Sequence, residues 1–233
     1  MFTFDSIVRY SEIDYREKLN ILGVLNYFQD CSTLQSETLG AGVRALHEKN
    51  LVWVISTWQI DVLRYPELGE RITIGTFPYK FKGFFGMRNF LIKDEKGEMI
   101  AMADTLWTLL NYKEGKPERI TEEILKGFVM EEQLPMESVK GRILIPDDMI
   151  KLDPITVKMS HLDANMHVNN GKYVEMIMDE LKVTDPKRLR VEYRKQERLG
   201  EVLTPYIYDD ESKTVALIKD SAGETSTVME FCK

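Results

Sequence analysis

The sequence predicts an α+β protein built twice, with two antiparallel sheets each wrapped around a long helix. Three observations predict it. The segment V-R-Y-S-E-I-D-Y-R-E-K-L-N, Val8 to Asn20, returns as V-K-M-S-H-L-D-A-N-M-H-V-N, Val157 to Asn169, with Val, Ser, Asp and Asn in register. Two further echoes keep the same order: Leu68 to Thr73 against Leu199 to Thr204, and Leu91 to Glu98 against Leu217 to Glu224. Finally, each copy runs from a short strand through helical spacing into strand-forming stretches. The echoes draw closer along the chain, so the second copy is the shorter.

In the first copy Asn20 is a natural helix cap, because its short acceptor satisfies amides that have no partner within the helix. Leu25, Phe28 and Leu34 are expected on one apolar face, with Gly40 as the stop. The following A-G-V-R-A-L-H-E-K-N, absent from the second copy, predicts a further short helix. Leu51 to Val62 is rich in Val, Ile, Thr and Trp and reads as a strand. Ile72, Ile74 and Thr76 alternate, and K-D-E-K-G-E joins Phe90–Ile92 to Ile100–Leu110 as a hairpin. Asn111 to Pro154 holds four of the eight prolines and reads as a surface crossover, with a turn or two of helix at Thr121 to Phe128.

In the second copy Asn169 or Asn170 caps a helix whose apolar face is Tyr173, Met176, Ile177 and Leu181. Strands follow at Val215–Ile218 and Thr225–Phe231 around Lys219 to Glu224. Strand, helix and strands, twice over, make a double hot-dog of class α+β. The expected division is 1–112, a connector 113–154, and 155–233.

Composition narrows the function. Two cysteines, Cys31 and Cys232, make no disulfide framework and fit a reducing compartment. Apolar runs fall short of the ~20 residues that span a bilayer, and no secretory signal is evident, so a cytoplasmic protein is expected. A net charge of −7 argues against nucleic acid as a partner. The balance reverses over Lys182, Lys187, Arg188, Arg190, Arg194, Lys195 and Arg198. That stretch is either a solvated surface or a docking face for an acidic partner or phosphate-bearing carrier.

The chemistry-bearing candidates are in one copy only. Asp163, Asn165 and His167 stand where the first copy has Asp14, Arg16 and Lys18. On an extended strand this i, i+2, i+4 spacing puts all three on one face, where they orient each other and a water. Amides of Asn169, Asn170 and Gly171 follow at a helix start, suited to a developing oxyanion. D-x-N-x-H before a helix also reads as turn chemistry plus a cap. His161 reads as a surface residue and His47 as structural or solvated. The chain has no G-x-S-x-G elbow, phosphate loop or H-E-x-x-H metal helix.

At these residues the sequence resembles the acyl-acyl-carrier-protein thioesterases, the plant FatA/FatB type and their bacterial relatives. Their D-x-N-x-H-x-N-N-x-x-Y motif reads here Asp163, Asn165, His167, Asn169, Asn170 and Tyr173. The resemblance extends to V-E-Y-R-K-Q-E, Val191 to Glu197, to Y-F-Q-D, Tyr27 to Asp30, and to the turn from Arg64 to Glu70. It implies a thioester hydrolase that releases free fatty acid from acyl carrier protein, without a cofactor, nucleic acid or membrane. A homodimer is compatible with such a fold. One departure stands out: the family usually has Glu where this chain has Gln196, and a Cys at the place of Glu197. The resemblance then leaves the base among Asp163, His167 and Glu197, with Gln196 holding water. An acyl-CoA thioesterase or a non-catalytic acyl-binding protein is the alternative.

Overall fold

The computed structural model describes residues 1–139, 141–181 and 185–233, in two compact units, Met1–Ser138 and Val139–Lys233.

The first unit runs β1 (Phe2–Ile7), α1 (Ile21–Thr38), α2 (Val43–Glu48), β2 (Leu51–Val62), β3 (Arg71–Lys82), β4 (Phe85–Asp94), β5 (Met99–Asn111) and the two-residue β6 (Lys116–Pro117). Its sheet has the antiparallel order β1-β3-β4-β5-β2, with β6 on β5. Asn20 caps α1 by accepting the Gly23 amide at 2.9 Å, and the chain leaves the helix through Gly40 at φ +66°. Ile21, Val24, Leu25, Phe28 and Cys31 are buried at 3–4 residue spacing. Phe28 meets Trp58 and Phe90 with ring centroids at 6.2 and 5.3 Å. Leu34, expected on this face, is exposed. Six residues at about 100° each carry it to the far side from Phe28.

The second unit runs β7 (Ile150–Lys151), β8 (Ile155–Thr156), α3 (Asn170–Met178), β9 (Arg188–Tyr193), β10 (Val202–Asp209), β11 (Lys213–Lys219) and β12 (Thr225–Cys232). Its strands pair β9-β12-β11-β10, and β7 and β8 both pair with β10. Taken through β8, the order β8-β10-β11-β12-β9 repeats β1-β3-β4-β5-β2 of the first unit. The duplication read from three short echoes is therefore a duplication of topology. The second helix is the shorter. Tyr173, Val174 and Ile177 are buried, and Leu181 lies beyond its end.

The echoes fold alike down to single bonds. In the β4–β5 turn Asp94 Oδ1 accepts the amides of Lys96 and Glu98 at 3.0 and 2.9 Å, and Gly97 takes φ +82°. In the β11–β12 turn Asp220 Oδ1 accepts those of Ala222 and Glu224, both at 2.9 Å, and Gly223 takes φ +82°. Glycine suits that position because it has no Cβ to clash in the left-handed region.

The proline-rich connector is not a free crossover. Ile124 is buried with Leu46, Leu51 and Leu109 of the first unit. Ile143 is buried with Val215, Leu217 and Val228 of the second. Residues 121–128 form hydrogen-bonded turns in place of the expected helix.

Candidate active site

The D-x-N-x-H segment is a tight turn, not an extended strand. Leu162 and Val168 pair as an antiparallel bridge that closes it. Inside, the Asp163 amide donates to the His167 carbonyl at 2.8 Å and the Met166 amide to the Asp163 carbonyl at 3.1 Å. Asp163 Oδ1 accepts the backbone amides of Asn165 and His167 at 2.8 and 3.3 Å. The alternation argument for one shared face therefore fails, because a short polar side chain folds the chain back on itself.

The first copy builds the same turn. Ile13 pairs with Leu19, Asp14 Oδ1 accepts the Arg16 and Lys18 amides at 2.9 and 3.4 Å, and the Glu17 amide donates to the Asp14 carbonyl at 3.0 Å. Both turns hold a non-glycine residue in the left-handed region, Glu17 at φ +62° and Met166 at φ +61°. Asp163 is thus the staple of the turn, and the residues peculiar to the second copy are Asn165 and His167.

Asn165 Oδ1 is buried with no hydrogen-bond partner among the described residues, a rarity in folded proteins that marks a polar atom to be explained. His167 is half-buried. Burial holds its imidazole below the ordinary range, the Arg198 guanidinium adds to this, and Asp163 and Glu201 oppose it. A neutral imidazole is the form that can accept a proton.

The start of α3 is capped. Asn169 Oδ1 accepts the Gly171 amide at 2.8 Å, and the Asn169 amide donates to the His161 carbonyl at 2.9 Å. Both amides are thereby engaged, which takes Gly171 and Asn169 out of the expected oxyanion set. The Asn170 amide remains at the head of α3, while its carbonyl accepts Tyr193 Oη at 2.9 Å. His161 Nδ1 accepts the Lys158 amide at 3.2 Å, a structural bond.

Gln196 and Glu197, in the segment that follows β9, part company. The Val168 amide donates to the Glu197 carbonyl at 2.9 Å, and both of these side chains are buried. Gln196 and Arg198 on either side are exposed. Arg198 is the cation that His167 feels, and Glu197 is buried in the unit. There Glu197 Oε1 accepts Ser226 Oγ. Ser226 and Glu201 are the contacts that sequence reasoning missed; comparing the two copies position by position reveals both.

The basic stretch is largely neutralised. Arg190 pairs with Glu230 at 3.1 Å and donates to the Gly141 carbonyl at 2.8 Å. Arg194 meets Glu192 at 2.7 Å, and Lys195 pairs with Asp220 and, at 3.0 Å, with Glu224. Arg188 is half-buried, while Lys187 and Arg198 are exposed. Lys182 lies outside the described residues. Burial pushes the Cys31 thiol up to about 12, far from a nucleophilic thiolate at neutral pH.

Residues 1–128 match the acyl-ACP thioesterase N-terminal domain and residues 146–230 the acyl-ACP thioesterase C-terminal domain. A chloroplastic acyl-acyl-carrier-protein hydrolase of Cuphea viscosissima is 29% identical over 210 residues, covering 81% of this chain and 50% of the relative. A palmitoyl-acyl carrier protein thioesterase of Arabidopsis thaliana is 28% identical over 209 residues, covering 81% and 50%. The chain thus spans about half the length of these curated relatives. Among solved structures, an acyl-ACP thioesterase from Bacteroides thetaiotaomicron superposes with a TM-score of 0.89 at 23% identity, covering 99% of this chain and 96% of the other. A 12:0-ACP thioesterase from Umbellularia californica gives 0.87 at 22%, covering 99% and 95%. At these identities the likeness is one of fold. No helix among the described residues is long and apolar enough to cross a membrane.

Proposed function

The chain belongs to the acyl-ACP thioesterase family, and from that premise we propose that it hydrolyses an acyl thioester on acyl carrier protein, releasing a free fatty acid. The observation that carries the reading is the contrast between the two turns. Both are stapled by an aspartate, at Asp14 and Asp163, yet only the second carries Asn165 and His167.

In the proposed step, water attacks the thioester carbonyl carbon while His167 takes a proton from that water. Asn165 orients the attacking group with its buried side-chain amide, and Gln196 holds the water from the exposed flank. The Asn170 amide at the head of α3 meets the oxygen that becomes negative. The carbon–sulfur bond then breaks, and the imidazolium returns its proton to the leaving thiolate. General acid–base help of this kind contributes ~10²–10⁴-fold. Asp163 acts through the turn it holds. The carrier, an acidic protein, is met by Lys187 and Arg198, two exposed cations of the basic stretch. Both cysteines are unpaired, which is in keeping with a reducing compartment such as the cytoplasm.

The test is release of free thiol from the same acyl group carried on acyl carrier protein and on CoA. We expect a higher kcat/KM on the carrier protein. Equal or better turnover of the CoA ester would favour an acyl-CoA thioesterase. No release from either would overturn the reading in favour of an acyl-binding protein.

A further inference from the structure

The two copies differ systematically at one buried place. In the first, the Leu19 amide donates to the Pro66 carbonyl at 2.9 Å, and the Leu63 and Arg64 amides to the Ile100 carbonyl at 2.9 and 3.4 Å. In the second, the Val168 amide donates to the Glu197 carbonyl at 2.9 Å, and the Arg194 and Lys195 amides to the Ser226 carbonyl at 2.8 and 3.1 Å. These bonds match Pro66 with Glu197 and Ile100 with Ser226. Val24 and Tyr173 match as the fourth residues of their helices. All six are buried. Three apolar residues under one turn have become three polar residues under the other. Burying polar groups without full partnership is costly, and the first copy demonstrates that the fold does not need them.

The polar set is incompletely satisfied within itself. Glu197 is 0% exposed, and Ser226 Oγ serves its Oε1. Among the described residues, its Oε2 and the Tyr173 hydroxyl are buried with no hydrogen-bond partner. The carboxyl that faces Glu197 is that of Glu201, itself fixed by the Arg198 amide at 2.6 Å. In the first copy the matching acid, Glu70, is neutralised by Arg64, whose Nη1 reaches it at 3.0 Å. In the second, the shorter Lys195 stands in that place and pairs with Asp220 and Glu224. Glu201 is thereby left against Glu197. Two carboxylates that close cannot both ionise without a large penalty, and one proton between them gives Oε2 its partner.

We propose that Glu197 and Glu201 hold a single proton between them beneath the His167 turn, seated by Tyr173 and Ser226, and that ionisation of this pair sets the charge His167 meets. The electrostatics agree with that geometry. Burial first, then Glu201, raise Glu197 to about 7, against Ser226 and Lys195, while Glu201 is lowered, chiefly by Glu197. Burial and then Glu197 raise Tyr173. Glu201 also acts on His167, beside Asp163 and against Arg198. With its proton the pair carries one negative charge; when the proton leaves for solvent it carries two, and the second favours the imidazolium. Glu197 is on this account a positioning residue, and the idea deepens the thioesterase reading by assigning a regulator of its base.

The experiment is an NMR titration of the His167 imidazole in the full chain. Its signal is identified among the three histidines by its loss in His167→Gln. We expect a second step in the His167 shift above the imidazole's own step, and loss of that step in Glu197→Gln and in Glu201→Gln. The Glu201 variant changes an exposed side chain and keeps the test valid if Glu197→Gln fails to fold. A single step in the unaltered protein, or a second step that survives both substitutions, overturns the proposal. The readout is not activity, so absence of hydrolysis would overturn the thioesterase reading alone.

Discussion

Asp163 Oδ1 accepts the backbone amide of Asn165 at 2.8 Å, as Asp14 Oδ1 accepts that of Arg16 at 2.9 Å in the other half of the chain. The aspartate common to both copies is the one whose work is structural. Hydrogen bonds to a charged acceptor contribute about 1.5–3 kcal/mol each when well formed and less when partly solvated. We expect Asp163→Ala and Asp14→Ala each to lower stability by about 1–2 kcal/mol in urea unfolding, while only Asp163→Ala also removes most hydrolysis. Equal stability with lost activity in Asp163→Ala would make the carboxylate a chemical group after all.

His167 should behave in the opposite way. Lys18 occupies the same turn position in the first copy, so the fold does not require an imidazole there. We expect His167→Ala to lower kcat by ~10²-fold or more with unchanged stability, and Lys18→Ala to leave kcat within about twofold. Near-normal turnover in His167→Ala would remove it from the mechanism.

The pH dependence follows from the neighbours of His167. Its imidazole is held low by burial and by Arg198. Removing the guanidinium makes protonation easier, so the folded pKa rises and the acid limb of kcat/KM moves to higher pH in Arg198→Gln. The shift should shrink as salt rises, because Arg198 is exposed and screening acts over about 8 Å at physiological ionic strength. An acid limb that stays in place, or moves down, would show that Arg198 does not act on the base.

The left-handed residue of the site turn offers a stability test. Met166 holds φ +61° where the β4–β5 and β11–β12 turns use glycine. Relief of that conformation is worth about 1 kcal/mol. Met166 is exposed, so little packing is lost on its removal. We expect Met166→Gly to raise the unfolding free energy by up to about 1 kcal/mol. A loss of stability would mean that the Met166 side chain makes a contribution larger than the strain.

The sequence by itself determined the duplicated plan. Residues that repeat in order, such as Asp94 with Asp220 and Asn20 with Asn169, are those whose local chemistry builds turns and caps, and local chemistry is what a linear pattern carries. It also singled out Asn165 and His167, because the first copy lacks them. What it could not give was direction. It left the Asp163 to His167 spacing between a strand face and a turn with a cap, and the turn forms because a side chain bonding two residues ahead turns the chain back. It left Leu34 inside and Gly171 available.

Only the tertiary structure decided which of Gln196 and Glu197 faces out, because that depends on the Val168 to Glu197 bond across 29 residues of chain. It likewise brought Tyr173, Ser226 and Glu201 to Glu197, and gave Arg190 and Lys195 to acids far along the chain. The charges of these two residues are written in the sequence. Their compensation is a property of strand pairing, which sets distant residues side by side with no trace in local spacing.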